Sequence, residues 1–357
     1  MSKQANQPIP KGMTCLFGFK HFGPVLVPSE DSFDAGGSAW GCAFADKEDS
    51  RTVYLYYSGS ADRKWTQAAI GLAVSEDGMS FRKLEELNPV LEGGADEFNS
   101  GLSITPAVTR VGNHYYMILA GSRRSSIFPR LSRRTRIGVA HADDPRGPWE
   151  VLGAIASPEF GWEGLSIDLG PGLVNIGDGE FLVYYSNSVN LLPLSLLGVK
   201  YLKFLHRCIG ILQVKIRSPK SISAHKYEGN PLHLNGPKGS SAESVFCPGH
   251  LLLSDVHFLV PAMGTYSVGF PFHQYIGITA SRNAYLENAR TPSVLIDGPS
   301  EGKEILNAKS QLAFDTPSPL VRNDTIYLYY SVMDRQNAVW KTALSLIDKR
   351  SLEDCAF

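Results

Sequence analysis

The chain has 357 residues, of which 43% are hydrophobic, so it can bury a large core and is not a disordered protein. Its 34 basic and 35 acidic residues nearly balance, which excludes a global charge that would direct it to nucleic acid or to a membrane surface. Its five cysteines show no C-x-x-C spacing, which excludes a dense disulfide scaffold and favours reduced, packed thiols.

The N-terminal segment, residues 1–30, is predicted to be an extension that precedes a single domain over residues 31–350. It begins MSKQANQPIPKG and lacks the apolar run of a signal peptide, so a cytoplasmic location is expected. The most apolar stretch of the chain, residues 191–208, is broken by proline, glycine and basic residues. Because of these interruptions, no membrane span is predicted.

Short strands recur along the domain in a fixed order. A strand that begins with Ile-Gly is found at Ile70, Ile137, Ile209 and Ile276, with a weaker fifth copy at Thr342, at intervals of 66 to 72 residues. Each copy follows two further strand patterns, typified by SAWGCAFA and then VYLYYSGS. Five units with room for four strands each predict an all-β chain, specifically a five-bladed β-propeller. A β-sandwich with coincidental spacing is the alternative.

Four acids lie at or just before the predicted innermost strands: Asp34, Asp168, Glu243 and Asp315. Successive connections of an antiparallel unit alternate between its two ends, so these acids should converge on the axis at one rim. A single acid in such a place is often a turn or strand-end cap. Several carboxylates buried together raise the pKa of at least one of them, which chains tolerate mainly where chemistry or a cation needs it.

At these residues the chain resembles the five-bladed propeller glycosidases, most closely glycoside hydrolase family 43 and its relatives. The resemblance covers roughly residues 34–348 and rests on the strand patterns and on three of the acids. It implies that Asp34 is the general base, that Asp168 tunes and orients the acid, and that Glu243 protonates the leaving oxygen of an inverting hydrolase. The family's first acid usually precedes proline, whereas this chain reads EDSFDAGGSAW, so Asp31 rivals Asp34.

Further residues are candidates for contact with a saccharide or glycoside substrate. Trp40 and Trp162 could stack on the apolar face of a sugar, and His273 could donate hydrogen bonds, although ordinary packing is an equal alternative for each. Asp315 is a fourth candidate. Arg123 belongs to a basic run in a segment without any acid, and guanidinium groups suit phosphate, sulfate or carboxylate, so an anionic substrate is one interpretation.

The insert at residues 189–208 mixes apolar residues with Lys200, Lys203 and Arg207. A lid or a packing segment is expected there, and a cover for a hydrophobic aglycone is the alternative. No cofactor and no metal ligands are predicted, because no ligand loop of recognisable spacing is present. A structural divalent cation such as calcium near the axis stays open from the acid count alone.

Two other functions remain open from the sequence. One is a glycoside phosphorylase of the family 130 type, in which phosphate replaces the second carboxylate and the water. The other is a carbohydrate-binding propeller without catalytic activity. Partners other than the saccharide, nucleic acid among them, are not predicted.

Overall fold

The computed structural model of the chain consists almost entirely of β-strands. It describes residues 19–49, 51–95, 97–124, 134–159, 161–187, 206–265, 272–306, 312–334 and 336–353, to which all statements below refer. The strands are β1 (Lys20–Leu26), β2 (Gly37–Ala45), β3 (Val53–Ser60), β4 (Ala69–Ser75), β5 (Arg82–Lys83), β6 (Leu102–Val111), β7 (His114–Ser122), β8 (Arg136–Ala142), β9 (Glu150–Ala156), β10 (Ile167–Gly177), β11 (Glu180–Asn187), β12 (Ile209–Ser218), β13 (Ser221–Lys226), β14 (Ser244–Leu253), β15 (Val256–Thr265), β16 (Phe272–Ser281), β17 (Ser293–Asp297), β18 (Leu312–Arg322), β19 (Thr325–Asp334) and β20 (Val339–Asp348).

Two short helices, α1 (Gly298–Leu306) and α2 (Lys349–Glu353), complete the described elements. Within the described residues, neither has the length or the apolar character needed to cross a membrane.

Antiparallel pairing divides the strands into five groups. Three groups are separate four-stranded sheets, formed by β6 to β9, β10 to β13 and β14 to β17 in chain order. The remaining eight strands form one sheet, in which β2 to β5 and β18 to β20 are joined by a parallel bridge between Gly37 and Trp340. The all-β architecture is therefore confirmed. We interpret the five groups as the five predicted units and number them in the order of their innermost strands, β2, β6, β10, β14 and β18.

The innermost strands form a closed ring. Each contacts the next one in chain order, and β18 contacts β2. The largest hydrophobic clusters join neighbouring units; one, for example, contains Tyr56 of unit one with Met117 of unit two. Another contains Phe258 of unit four with Tyr330 of unit five. Burying such apolar side chains stabilises each by roughly 1.5–3 kcal/mol, so the units depend on one another for their cores.

The outer strand of unit five comes from the N-terminal end of the described chain. β1 (Lys20–Leu26) pairs antiparallel with β20, and α1 packs against β1. The expected N-terminal extension over residues 1–30 therefore contributes a strand to the last unit. This pairing brings both ends of the described chain into one sheet.

Every innermost strand contains a β-bulge close to its start. The register shifts after Ala39, Ile104, Leu169, Phe246 and Asp315 in units one to five. In units two to five the irregular stretch contains a proline, which cannot donate to a sheet ladder and is tolerated at bulges. These prolines are Pro106, Pro171, Pro248 and Pro317.

The bulge defines a repeated place in each unit, which we call the rim position. It is the residue of the innermost strand that pairs with the second-strand residue Ser58, Ala120, Ser186, Ala262 or Ser331. The five rim positions are occupied by Ala39, Ile104, Asp168, Phe246 and Asp315.

The serines opposite the rim positions tie neighbouring units together. The Ser58 hydroxyl accepts the Thr105 N–H at 2.9 Å, and the Ser331 hydroxyl accepts the Trp40 N–H at 2.6 Å. Ser186 accepts the N–H of Cys247 at 3.4 Å. The repeated Tyr-Tyr-Ser sequence therefore serves the contact between units as well as the strand itself.

Candidate functional site

The four predicted acids do not share one register. Asp168 and Asp315 occupy rim positions, whereas Asp34 precedes the rim residue Ala39 by five positions. Glu243 precedes its rim residue, Phe246, by three positions. Two of the four are thus equivalent in the repeat, and the other two must be placed by their own contacts.

Asp168 lies in a polar cluster around a buried arginine. Its Oδ1 accepts hydrogen bonds from the Thr105 hydroxyl at 3.2 Å and from the Leu169 N–H at 2.9 Å. Its Oδ2 lies 3.5 Å from Nη2 of Arg207. The Asp168 side chain is 18% exposed and that of Arg207 is 7% exposed, so the carboxylate is the more accessible partner.

Arg207 is held from several sides. Its Nε donates to the Asn187 carbonyl at 3.0 Å, and its Nη2 lies 3.3 Å from the Ser186 hydroxyl and 3.2 Å from the Cys247 sulfur. The guanidinium carbon is 4.0 Å from the ring centre of Phe246, a cation–π contact. A rim position filled by an aromatic ring therefore serves to position this cation.

The two rim acids influence each other and share this one cation. Burial raises the pKa of Asp315 to about 6, with the Arg207 guanidinium lowering it and the Asp168 charge raising it. Burial also raises the pKa of Asp168, again against the effect of Arg207. The number of acids in the sequence left a divalent cation near the axis as an open possibility. In the structure, Arg207 supplies positive charge beside these acids. Two carboxylates and one guanidinium favour keeping one proton in the cluster at mildly acidic pH.

Asp34 lies in a different arrangement, over the outer part of unit one. Its buried carboxylate binds Nζ of Lys83, on the outermost strand β5, and accepts the Ser38 hydroxyl at 2.7 Å. It also bonds the hydroxyl of Tyr57, whose pKa is raised by burial and by the Asp34 charge. Asn88 approaches the same hydroxyl at 3.4 Å. We call this arrangement the carboxylate clamp.

A second carboxylate clamp occurs in unit three around Glu163. The Glu163 carboxylate accepts the Tyr185 hydroxyl at 2.5 Å and Nζ of Lys226, on the outermost strand β13, at 2.6 Å. Asn230 approaches the tyrosine hydroxyl at 3.3 Å, as Asn88 does in unit one. Both carboxylates are at most 2% exposed. Because the whole arrangement is duplicated, Glu163 rather than Asp168 is the structural equivalent of Asp34.

Trp162 also has an equivalent in unit one. Its ring lies against Gly210 of the third strand, where an added Cβ would come within 2.8 Å, and its ring centre is 5.6 Å from that of Tyr185. Phe33 lies in the same way against Gly71, with a corresponding approach of 2.6 Å. The Ile-Gly pattern found in the sequence therefore leaves room for an aromatic ring. The contacts of Trp162 are those of a packing residue, which was the alternative to sugar stacking in the sequence analysis.

Glu243 lies beside the insert. Its Oε2 accepts the Gly239 N–H at 2.8 Å, and its Oε1 lies 3.7 Å from Nδ1 of His206. The Glu243 side chain is 2% exposed, whereas that of His206 is 41% exposed. The next residue, Ser244, accepts the N–H of Arg207 through its hydroxyl at 2.8 Å. Glu243 is thus linked through the chain to the arginine that faces Asp168.

Trp40 belongs to a cluster of three tryptophans where units five and one meet. Its ring centre lies 4.1 Å from that of Trp65 and 6.0 Å from that of Trp340. It directly follows the rim residue Ala39 and has a positive φ of 50°. Its indole Nε1 is buried without a hydrogen-bond partner among the described residues. Its backbone N–H bonds Ser331, the residue opposite the rim acid Asp315, and an aromatic surface there is suited to the apolar face of a sugar.

The remaining sequence candidates are less informative. Arg123 is exposed just after β7, and most of the basic run that it begins, residues 125–133, lies outside the described residues. His273 is part of β16, and its side chain is outside the description. Residues 188–205, nearly the whole predicted insert, are also outside it.

Arg207 and Glu163 were not identified as site residues from the sequence, although each lies in a buried polar cluster. Arg207 was hidden in an apolar insert, and no local pattern marks it as the partner of two distant acids. For Glu163, the sequence does contain a pattern that aligns it with Asp34. In units one and three, an aromatic residue and an acid precede the rim position by six and five residues, in FDAGGSA and WEGLSID.

Comparisons with known proteins place the fold among glycoside hydrolases. No protein-family model matches the chain, and no curated protein matches it by sequence. A solved structure described as a glycoside hydrolase is 13% identical, with a TM-score of 0.64 and 92% of each chain covered. A family 117 glycoside hydrolase produced by the marine bacterium Zobellia galactanivorans is 11% identical, with a TM-score of 0.59 and coverage of 93% of this chain and 91% of that one.

The description of a third similar structure concerns family 130 of mannoside phosphorylases. It says that this family contains glycoside hydrolases that target β-1,2 mannosidic linkages in Candida mannan. This structure is 14% identical, with a TM-score of 0.60, and the match covers 96% of this chain and 93% of that one. At such identities the likeness establishes the fold. These descriptions name families 117 and 130, so the resemblance to family 43 stays a prediction.

Proposed function

We propose that the chain is a glycosidase that hydrolyses a glycosidic bond at the rim of the ring. The observation that carries the proposal is the partly exposed carboxylate of Asp168, held by Thr105 and Arg207 within a fold that glycoside hydrolases share. Glycoside hydrolysis requires two carboxyl groups on opposite sides of the scissile bond. The substrate proposed is a saccharide or glycoside, with the tryptophan cluster as its stacking surface.

The proposed roles differ from those that the resemblance implied. Asp34 is given a structural role, because its carboxylate is fully buried and its clamp is repeated around Glu163. Asp168 takes the role of the general base, since a base must reach water and this carboxylate is partly exposed. Glu243 is retained as the proton donor, because its buried carboxylate contacts His206, whose side chain is 41% exposed. Asp315 acts on Asp168 through their shared arginine.

The experiment is a screen of aryl glycosides of several sugars, with good and poor leaving groups, using wild type, Asp168→Asn and Glu243→Gln. Loss of a general acid or base typically costs about 10²–10⁴-fold in rate. Glu243→Gln should cost most on poor leaving groups, because activated ones need little protonation. Asp168→Asn should cost the same on both kinds. Exposed Asp178→Asn, in the turn after β10, is the matched control and should keep full activity.

Inversion is tested separately by recording the anomer that is first released. An inverting enzyme releases the opposite anomer, as expected when a water lies between the base and the sugar. Retention of the substrate's anomeric configuration would contradict the role given to Asp168. Equal losses for Glu243→Gln on all leaving groups would contradict the role of Glu243.

Phosphorolysis is the second catalytic candidate, and the buried Arg207 beside the rim acids is the observation that favours it, since guanidinium groups bind phosphate. The same screen is therefore run with and without inorganic phosphate. Turnover that strictly requires phosphate would replace the hydrolase proposal with a phosphorylase.

A binding protein without turnover is favoured by a different observation. Only two of the five rim positions carry an acid; the others are Ala39, Ile104 and Phe246. If this alternative holds, saccharides bind but no glycoside is cleaved with or without phosphate. Asp168→Asn would then change affinity alone.

A further inference from the structure

A cluster of two histidines and an aspartate lies at one end of unit two. His114 begins β7, His141 is near the end of β8, and Asp143 follows that strand. The pairing of Tyr115 with Ala142 brings the three side chains to the same end of the strand pair. The innermost strand β6 ends at this same turn, so the cluster is at the end of the unit opposite its rim position, Ile104.

The three side chains converge on one point. Nδ1 of His114 lies 2.7 Å from Oδ1 of Asp143, and Nε2 of His141 lies 3.4 Å from the same oxygen. The two nitrogens are 3.2 Å apart. In a tetrahedral zinc site with bonds of about 2.0–2.1 Å, neighbouring ligand atoms are about 3.3 Å apart. One ion can therefore bind all three atoms with little movement.

We propose that His114, His141 and Asp143 form a binding site for one zinc ion. Two imidazole nitrogens and one carboxylate oxygen suit zinc, whereas calcium and magnesium prefer sites made of oxygens alone. His141 is 12% exposed and its ring centre lies 5.4 Å from that of Tyr116, so this ligand is already held in place. The side chains of His114 and Asp143 are 46% and 79% exposed, which leaves the ion open to solvent and to water as a fourth ligand.

The chain offers a matched control in unit four. His250 and His257 are diagonal neighbours on β14 and β15, with Nε2 and Nδ1 3.1 Å apart, nearly the spacing of the unit-two histidines. Within the described residues, no third ligating group completes this pair to a metal-binding set. His257→Gln therefore controls for the loss of a histidine from a close pair that has no third ligand.

The test measures Zn²⁺ binding to the full chain, without an affinity tag, by competition with a chromogenic chelator. Wild type should bind one equivalent. His114→Gln, His141→Gln and Asp143→Asn should each weaken binding by about tenfold or more, since even loss of an outer-shell partner costs about 10- to 100-fold in metal affinity. His257→Gln should bind as wild type does. Co²⁺ in place of Zn²⁺ gives a second measurement, the d–d absorption of a four-coordinate ion, which Asp143→Asn should alter and His257→Gln should not.

Two outcomes would overturn the proposal: wild type that binds Zn²⁺ no more tightly than His114→Gln, or His257→Gln that loses as much affinity as His114→Gln. Neither outcome bears on glycoside cleavage at the other end of the ring, so the two proposals fail independently.

Discussion

The surroundings of each carboxylate, more than its place in the sequence repeat, decide what it does. Asp34 and Glu163 each meet a lysine and a tyrosine in a closed clamp, and Lys226 of the second clamp also pairs with the exposed Glu159 at 3.1 Å. Asp168 and Asp315 instead share one guanidinium. Each buried clamp carboxylate therefore contacts a lysine directly, whereas the two rim acids have one guanidinium between them, and proton transfer would be useful there.

The titration of Asp315 gives a prediction about stability. Its pKa of about 6 in the folded chain lies above the value of about 3.9 expected for an unfolded aspartate. A raised carboxyl pKa means that the folded chain holds the proton more tightly than the unfolded chain does. The stabilisation that results is complete below about pH 3.9 and is lost as pH rises to about 6. Two pKa units correspond to roughly 3 kcal/mol.

Asp315→Asn removes this titration. The free energy of unfolding of the variant, relative to wild type, should therefore rise by up to about 3 kcal/mol between pH 4 and pH 7. Urea unfolding at a series of pH values measures the difference, in which the titrating groups that do not interact with Asp315 cancel. Asp178→Asn, in an exposed turn, is the control for the loss of one carboxylate. A flat difference for Asp315→Asn would contradict the burial that raises its pKa.

The two clamps give a prediction that separates structure from catalysis. Asp34→Asn leaves Lys83 buried without its charge partner, and breaking a buried pair in this way costs about 3–5 kcal/mol. Glu163→Gln should cost less, because Lys226 keeps Glu159 as a charge partner at 3.1 Å. Urea unfolding and turnover are measured for both variants. A loss of about 10²-fold or more in kcat for Asp34→Asn alone would restore Asp34 as the general base.

At the scale of elements, the strand order was predictable and the register was not. The Ile-Gly and Tyr-Tyr-Ser strands are local patterns, so their repeats could be read directly, and they correspond to the third and second strands of the units. Asp34 was aligned with Asp168 because both are acids near an innermost strand. The aromatic residue before Asp34 shows that it aligns with Glu163, five residues earlier than Asp168.

What escaped prediction depended on contacts between distant parts of the chain. The electrostatic interaction of Arg207 with Asp168 and Asp315 links units three and five, and no pattern in the local sequence predicts it. The serine ties have the same character, since Ser331 and Trp40 are 291 positions apart. Sequence periodicity gives the elements, whereas the ring geometry decides which side chains meet.

The packing of Trp162 on Gly210 can be tested as a contact between elements. Gly210→Ala places a methyl group within about 2.8 Å of the indole, and overpacking of this kind costs about 1–3 kcal/mol. In Trp162→Leu the smaller side chain should accommodate the methyl group, so the two substitutions together should cost less than the sum of their single effects. Unfolding free energies of the four chains measure this coupling. Strict additivity would mean that the overpacking falls on the ring of Tyr185, 3.0 Å from the same methyl position, and not on the indole.

At the scale of the whole molecule, the first described strand covers the place where the ring closes. β1 covers the edge of β20, while β20 bridges to β2 of unit one. An uncovered strand edge exposes unpaired backbone groups and invites pairing with other chains. The N-terminal strand therefore protects the seam where the ring begins and ends.

Removal of residues 1–26 should accordingly lower the melting temperature and promote association through the bare edge of β20. A synthetic peptide of residues 19–28 should restore the melting temperature in trans, because pairing and burial of Leu26, which is 3% exposed, reform on binding. The same peptide with Leu26→Asp is the matched control and should fail, since it would bury an unpaired charge. Thermal unfolding and light scattering of the truncated chain, with each peptide, provide the measurements. A truncated chain with the melting temperature and the light scattering of the full chain would show that closure of the ring rests on the innermost strands and on the bridge from β20 to β2.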